Sequence, residues 1–215
     1  MARTLHIVTS PRGARSRSRL VTEAFVEAWR AHRPGEAIDT LDLWRDPVPT
    51  FDGVRVDAKM AVVDRAAHDP AMLDAWASLR AAFDRFAAAD TYVIGVPMWN
   101  GGIPWILKHY VDTVTQPGLL FSFDPDTGYR GLLRGKRAVV AYTSAVYAPG
   151  VAPAFGRDFH STYFEDWLRF AGVDEVHALR LQPTSPRSPD VEARTAAAVA
   201  DARRLAASLA GRAVA

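Results

Sequence analysis

The 215-residue sequence predicts an α/β fold built on a doubly wound, five-stranded parallel sheet with helices on both faces. Three observations predict it. Apolar runs of strand length alternate with segments of helical period, which places crossover helices between parallel strands. The runs at 92–96 and 138–143 are apolar without polar alternation, as in strands covered on both faces. Turn signals follow the strand-like runs at Ser10-Pro11-Arg12-Gly13 and from Pro97 to Pro104, where a strand would hand over to a helix.

Each element follows in order. Residues 4–9 read as the first strand. From Ser18, a good N-cap candidate, Leu20, Val21, Ala24, Phe25, Ala28 and Trp29 fall at helical spacing until Arg33-Pro34-Gly35. Ile38, Leu41 and Leu43 mark a second strand, and residues 44–57, punctuated by Pro47, Pro49 and Gly53, read as loop. Residues 70–89 carry Met72, Leu73, Trp76, Leu79, Phe83 and Phe86 on one helical face. After the strand at 92–96, a helix is expected over 104–114, an irregular stretch over 118–135 and a strand over 138–143. A helix over 155–171, a strand over 176–181 and an Ala-rich helix over 190–210 complete the chain. For five alternating strands, the flavodoxin-like order 2-1-3-4-5 is the natural choice. The length suits one domain spanning 1–215.

Composition narrows the function. A formal charge of +2 gives no basic footprint for nucleic acid. The chain has no cysteine, which excludes thiol nucleophiles and thiolate metal sites, so any redox chemistry needs a bound cofactor. No metal-ligand pattern stands out. No run approaches the roughly 20 apolar residues of a membrane span. Met1-Ala2-Arg3-Thr4-Leu5 leads into the first strand without a signal-like apolar region, so a soluble cytoplasmic protein is expected.

Open parallel sheets bind ligands beyond the carboxyl ends of their strands. Three loops meet that condition. The first, residues 10–18, enters a helix N-terminus, where free N–H groups and the helix dipole favour an anion. Ser10, Ser16 and Ser18 offer hydroxyls and Arg17 offers charge, while the absence of Walker and G-x-G-x-x-G patterns points to a monophosphate. A capped helix with solvated arginines would carry the same residues. In the second loop, residues 97–104, Trp99 can shield one face of an aromatic ring and Asn100 offers donor and acceptor to a heterocycle edge. Gly101 and Gly102 permit close backbone approach, although a tight turn beside a half-buried Trp is also consistent with them. The third loop is residues 143–150.

The stretch Pro97-Met98-Trp99-Asn100-Gly101-Gly102-Ile103-Pro104, followed by Leu107-Lys108-His109-Tyr110-Val111-Asp112, resembles the FMN-dependent NADH-azoreductase/quinone reductase family. That family carries P-M-[YW]-N-F-x-[IV]-P followed by L-K-x-[YW]-[IVF]-D. The resemblance continues through Gly118-Leu119-Leu120-Phe121-Ser122-Phe123 and Gly131-Leu132-Leu133-Arg134-Gly135-Lys136, and includes Ser16-Arg17-Ser18 where the family has S-x-S. It implies a flavodoxin-like homodimer with FMN at the subunit interface. Ser10, Ser16, Arg17 and Ser18 would hold its phosphate, and Pro97, Met98, Trp99, Asn100 and Gly101 its ring system. Hydride from NADH or NADPH would pass through flavin N5 to a quinone, azo or nitro aromatic substrate, with no catalytic side chain required.

Two departures stand out. Gly101 replaces the motif's Phe, removing one aromatic wall, and Thr143-Ser144-Ala145-Val146 replaces the family's S-R-G-G. Ala145 and β-branched Val146 resist glycine-like backbone geometry, while Thr143 and Ser144 can still donate hydrogen bonds to the flavin. These departures keep two alternatives open: a specialised biosynthetic reductase with one large substrate, and a flavodoxin-fold binding protein without catalysis. His109 and His160 lack a partner pattern and are expected to be structural. Phe155, Phe159, Tyr163, Phe164 and Trp167 are expected to pack a core or a dimer contact.

Overall fold

The computed structural model describes residues 2–212; Met1 and residues 213–215, included in the expected domain span, lie outside them. The main sheet is formed by β1 (Arg3–Val8), β2 (Ala37–Asp42), β3 (Thr91–Pro97), β6 (Arg137–Thr143) and β7 (Glu175–Leu181). Its order is β2-β1-β3-β6-β7 and every pairing is parallel. Counted along this sheet, that is the 2-1-3-4-5 order expected. Central β6 is buried throughout and β3 nearly so, whereas the edge strands β2 and β7 alternate with exposed residues. The near-continuous apolar runs thus mark central positions.

Two cores cover the two faces. On one, Val21, Phe25 and Trp29 of α1 (Arg17–His32) pack with Ala198, Ala202 and Ala206 of α6 (Val191–Ala210). The small alanines let these helices approach closely over the sheet. On the other face lie α3 (Pro70–Ala87), α4 (Trp105–Val114) and α5 (Ser161–Ala171), whose Phe86, Tyr110 and Trp167 meet Tyr92 and Tyr142 of the sheet.

Four local expectations change. Helix α2 (Gly53–Val63) begins inside the expected 44–57 loop, with Asp52 as N-cap accepting from the Arg55 amide at 3.2 Å. Its buried side chains are only Ala58 and Ala61, too small to show as a periodic apolar stripe. Within the expected irregular stretch, β4 (Phe121–Asp124) and β5 (Gly128–Gly131) form an antiparallel hairpin outside the main sheet. The Asp124 carboxylate closes its turn on the amides of Asp126 and Thr127. Helix α1 is capped by Ser16 rather than Ser18; the Ser16 hydroxyl accepts from the Arg19 amide at 3.2 Å, and Ser18 lies in the first turn. Finally, α5 starts at Ser161, not near 155. Gly156 at φ +113° breaks the chain direction, and the Asp158 carboxylate takes the His160 and Ser161 amides at 3.2 and 2.7 Å.

Candidate functional site

The parallel registers align Val8 with Asp42 and Gly95, and Thr143 with Pro97 and Leu181, so the loops after β1, β3, β6 and β7 leave one carboxyl edge of the sheet. Two of the cavities that open there bear on the candidate site. The smaller, of about 150 Å³, is lined by Ser10, Ser16, Arg17, Ser18, Pro97, Met98, Trp99, Thr143 and Ser144. The same cavity takes in Arg12, Ala145 and Thr184, which sequence reasoning did not single out for it.

Its polar end is a cradle at the start of α1. Ser16 and Ser18 are 3% and 2% exposed, and their hydroxyl oxygens stand 3.2 Å apart. Gly95 makes this possible. A Cβ there would lie 3.3 Å from both Cβ and Oγ of Ser18, so a side chain on β3 would crowd Ser18 and the first turn of α1. Arg17 donates to the Thr195 hydroxyl at 3.3 Å, and among the described residues no carboxylate lies within ion-pair distance of it. Buried hydroxyls, open helix-start amides and a cation without a carboxylate partner form a donor set that fits a phosphate group.

The ring end is built by a tight turn. Trp99 and Gly102 exchange backbone hydrogen bonds at 2.9 and 3.0 Å, and both central residues have positive φ, +51° at Asn100 and +83° at Gly101. This is the pattern of a type I′ turn, for which Asn-Gly is the preferred pair. The Met98 amide donates to the Thr143 carbonyl at 2.7 Å and ties the turn to β6. Asn100 is exposed and lines the second cavity rather than the first; Gly101 lies beneath Phe159.

That second cavity is a more open cleft of about 430 Å³, lined by Trp99, Asn100, Ile103, Trp105, Lys108, Phe159 and Tyr163 among others. Trp44 braces it from behind. Its indole N–H donates to the Thr9 carbonyl at 2.9 Å, and its ring meets Trp99 at 6.0 Å and Trp105 edge-on at 5.5 Å. The position of Trp44 just past the end of β2 was the available signal for it.

The loop after β6 differs from its expectation in one respect. The Ser144 hydroxyl donates to the Tyr147 carbonyl, so its hydrogen is not free for a ligand. Residues 143–146 keep negative φ, which their side chains demand. The loop is pinned from the β7 side, where the Thr184 amide donates to the Ser144 carbonyl and the Ser185 amide to the Ala145 carbonyl, each at 2.8 Å. Val146 faces away and lines a separate groove with Val151 and Phe155.

His160 is buried, with Nδ1 3.0 Å from the Asp158 carboxylate and the ring edge-on to Tyr142. Burial lowers its pKa despite Asp158, so the neutral ring donates from Nδ1. Burial opposes ionisation of Asp158 too, but hydrogen bonds from Ser161 outweigh it and hold the carboxyl below its ordinary range. Of the expected aromatic cluster, Phe164 and Trp167 pack the core, whereas Phe159 lies outside the helix and 60% exposed in the cleft.

Comparison with known proteins follows the same lines. A family model described as flavodoxin-like fold matches residues 2–206. An FMN-dependent NADH:quinone oxidoreductase of Ruegeria pomeroyi is 47% identical over 184 residues, 86% of this chain and 90% of that one. The chain belongs to the flavodoxin-like family of FMN-dependent NADH:quinone oxidoreductases. Another such oxidoreductase of the family, from Nitratidesulfovibrio vulgaris, is 40% identical across 96% of this chain and 99% of its own. An FMN-dependent NADH-azoreductase from Bacillus anthracis, solved in complex with FMN, superposes with a TM-score of 0.86 over 98% of this chain and all of that one. At 24% identity it supports the fold of this family member. Among the described residues no helix is long and apolar enough to cross a membrane, and no group of His, Cys, Asp or Glu could hold a metal ion.

Proposed function

We propose that this chain binds FMN and uses NADH or NADPH to reduce quinones and related azo or nitro aromatic compounds. The observation that carries this reading is the convergence, on one sheet edge, of a buried anion cradle and an indole-walled cleft. Their separation by Met98 and Trp99 suits a ligand with a phosphate at one end and a flat ring system at the other.

In this reading Ser10, Ser16 and Ser18 donate hydroxyl hydrogen bonds to the phosphate and Arg17 balances its charge. Pro97, Met98 and Trp99 line one side of the ring site, the Asn100-Gly101 turn borders it, and Thr143 and the pinned backbone at Ser144 close the far edge. Bound FMN supplies reversible acceptance and donation of a hydride. Trp99 and the turn after β3 would orient FMN and its reaction partner against each other and keep bulk water from the ring. No side-chain nucleophile is needed, in keeping with a chain free of cysteine.

The resemblance stated above also supports a homodimer with FMN at the subunit interface and a single domain over the chain. The cytoplasm, where reduced pyridine nucleotide is maintained, is the compartment such chemistry requires. The deciding measurement is an absorbance spectrum of the purified protein, followed by anaerobic NADH titration. We expect the visible band of oxidised flavin, bleached by about one equivalent of NADH, a stoichiometry set by two-electron hydride transfer. A colourless protein that cannot be reconstituted with FMN would end this reading. Normal FMN binding without bleaching would instead favour a non-catalytic binding protein.

A further inference from the structure

Gly101 and Phe159 are one construction. An ideal Cβ at Gly101 would point at the Phe159 ring, 3.6 Å from its Cδ2, and would also approach the Arg157 carbonyl at 3.9 Å. That is van der Waals contact, so Phe159 lies against the face from which a side chain at 101 would rise, and the positive φ of +83° suits the position to glycine. The two are also joined through the backbone, where the Phe159 amide donates to the Gly101 carbonyl at 3.1 Å.

Phe159 is held on both sides. Upstream is the Gly156 break, and on either side of the ring Asp158 is joined to His160 and Ser161 by hydrogen bonds that hold the backbone on which it stands. A phenylalanine so anchored, yet 60% exposed, is not filling a core. Its ring borders the cleft together with Tyr163, Trp99 and Trp105, and Gly102 adds only backbone to the lining. The opening of about 430 Å³ is several times the volume of a single six-membered ring.

We propose that Phe159 is the specificity-determining wall of the acceptor site, selecting planar fused-ring acceptors over single-ring ones. This rests on the flavin reading for the reaction, but not for the binding preference. A two-ring acceptor carries a second ring face that can stack on Phe159 while its quinone ring reacts, and a one-ring acceptor carries none. Stacking of this kind favours the larger ring by up to about tenfold.

The test uses the purified full-length protein, with Phe159→Ala and Phe159→Leu beside it. Leucine keeps apolar bulk against Gly101 and removes the aromatic face. Dissociation constants for 1,4-naphthoquinone and 1,4-benzoquinone are measured by calorimetry without NADH, and kcat/KM for each with NADH; FMN affinity and thermal midpoint are recorded for every variant. Both substitutions are expected to weaken naphthoquinone binding and lower its kcat/KM by about tenfold, with benzoquinone and FMN changed by less than about twofold. Phe159→Trp should restore the preference. Equal losses for both quinones, or no loss for either, overturn the proposal. If the wild-type protein binds no FMN, the functional reading fails by itself. The calorimetric preference for naphthoquinone and its loss in Phe159→Leu still decide the role of Phe159.

Discussion

The two ends of the site are made by opposite means. The proposed phosphate cradle lies within residues 10–18, is largely buried, and is held by the Ser16 cap, the first turn of α1 and the close approach of Gly95. The proposed acceptor cleft draws Trp99 and Trp105, Phe159 and Tyr163, with Trp44 behind them, from three separate stretches of the chain, and all but Trp99 are exposed. Charged recognition needs a fixed set of donors, because an unpaired buried polar group is costly. Stacking tolerates displacement, because dispersion and desolvation are weakly directional. The cradle can therefore stay constant while the cleft changes its acceptor.

Three perturbations sharpen that contrast. The largest acts below the cradle. His6 on β1 is buried with Nε2 2.9 Å from the Thr22 hydroxyl of α1, and burial lowers its pKa to about 4. The unfolded chain takes up this proton near pH 6.5 and the folded chain only near 4, so stability falls as pH drops through that window. The loss should total on the order of 3 kcal/mol, read from denaturant midpoints at pH 7 and pH 4, with His6→Gln flattening the profile. A profile unchanged by that substitution would remove His6 as the cause.

Next in size is Ser16→Ala, which deletes both the helix cap and a proposed phosphate donor. A hydrogen bond to a charged group contributes about 1.5–3 kcal/mol, so FMN should bind at least about tenfold more weakly, while quinone preference stays as in the wild type. A shift in quinone preference would show that cradle and cleft are not separable. The smallest effect is expected from Trp44→Phe. It breaks the indole hydrogen bond to Thr9, costing about 1 kcal/mol in stability, yet leaves an aromatic ring against Trp99 and Trp105. FMN affinity should change by less than about twofold, and quinone KM should carry the remainder.

The same contrast governs what could be read from the sequence. The cradle was legible because Ser10, Ser16, Arg17 and Ser18 sit within nine residues at a strand-to-helix junction, and the β3 turn because Asn100-Gly101 is itself a turn signature. Phe159 reads in the sequence as core or dimer packing, since its spacing to Tyr163 looks helical; what overrides that spacing is Gly156 and the capture of the following amides by Asp158. Gly101 looked like a missing wall because the ring beside it comes from 58 residues downstream, a pairing only the fold creates. Alternation made the parallel sheet readable and left its order as the natural choice for five strands, while α2 and the β4–β5 hairpin escaped because neither buries a periodic apolar face in the main core.

The anchored Trp44 has one more consequence. Its indole and those of Trp99 and Trp105 form a chain with successive ring centres 5.5–6.0 Å apart, at the mouth of the site. Light absorbed by any of the three can migrate along the chain to Trp99, where a flat, electron-poor ring bound in the cleft would drain it. The expected consequence is an optical gauge within the protein: ultraviolet emission should dim as the cleft fills, without any added dye.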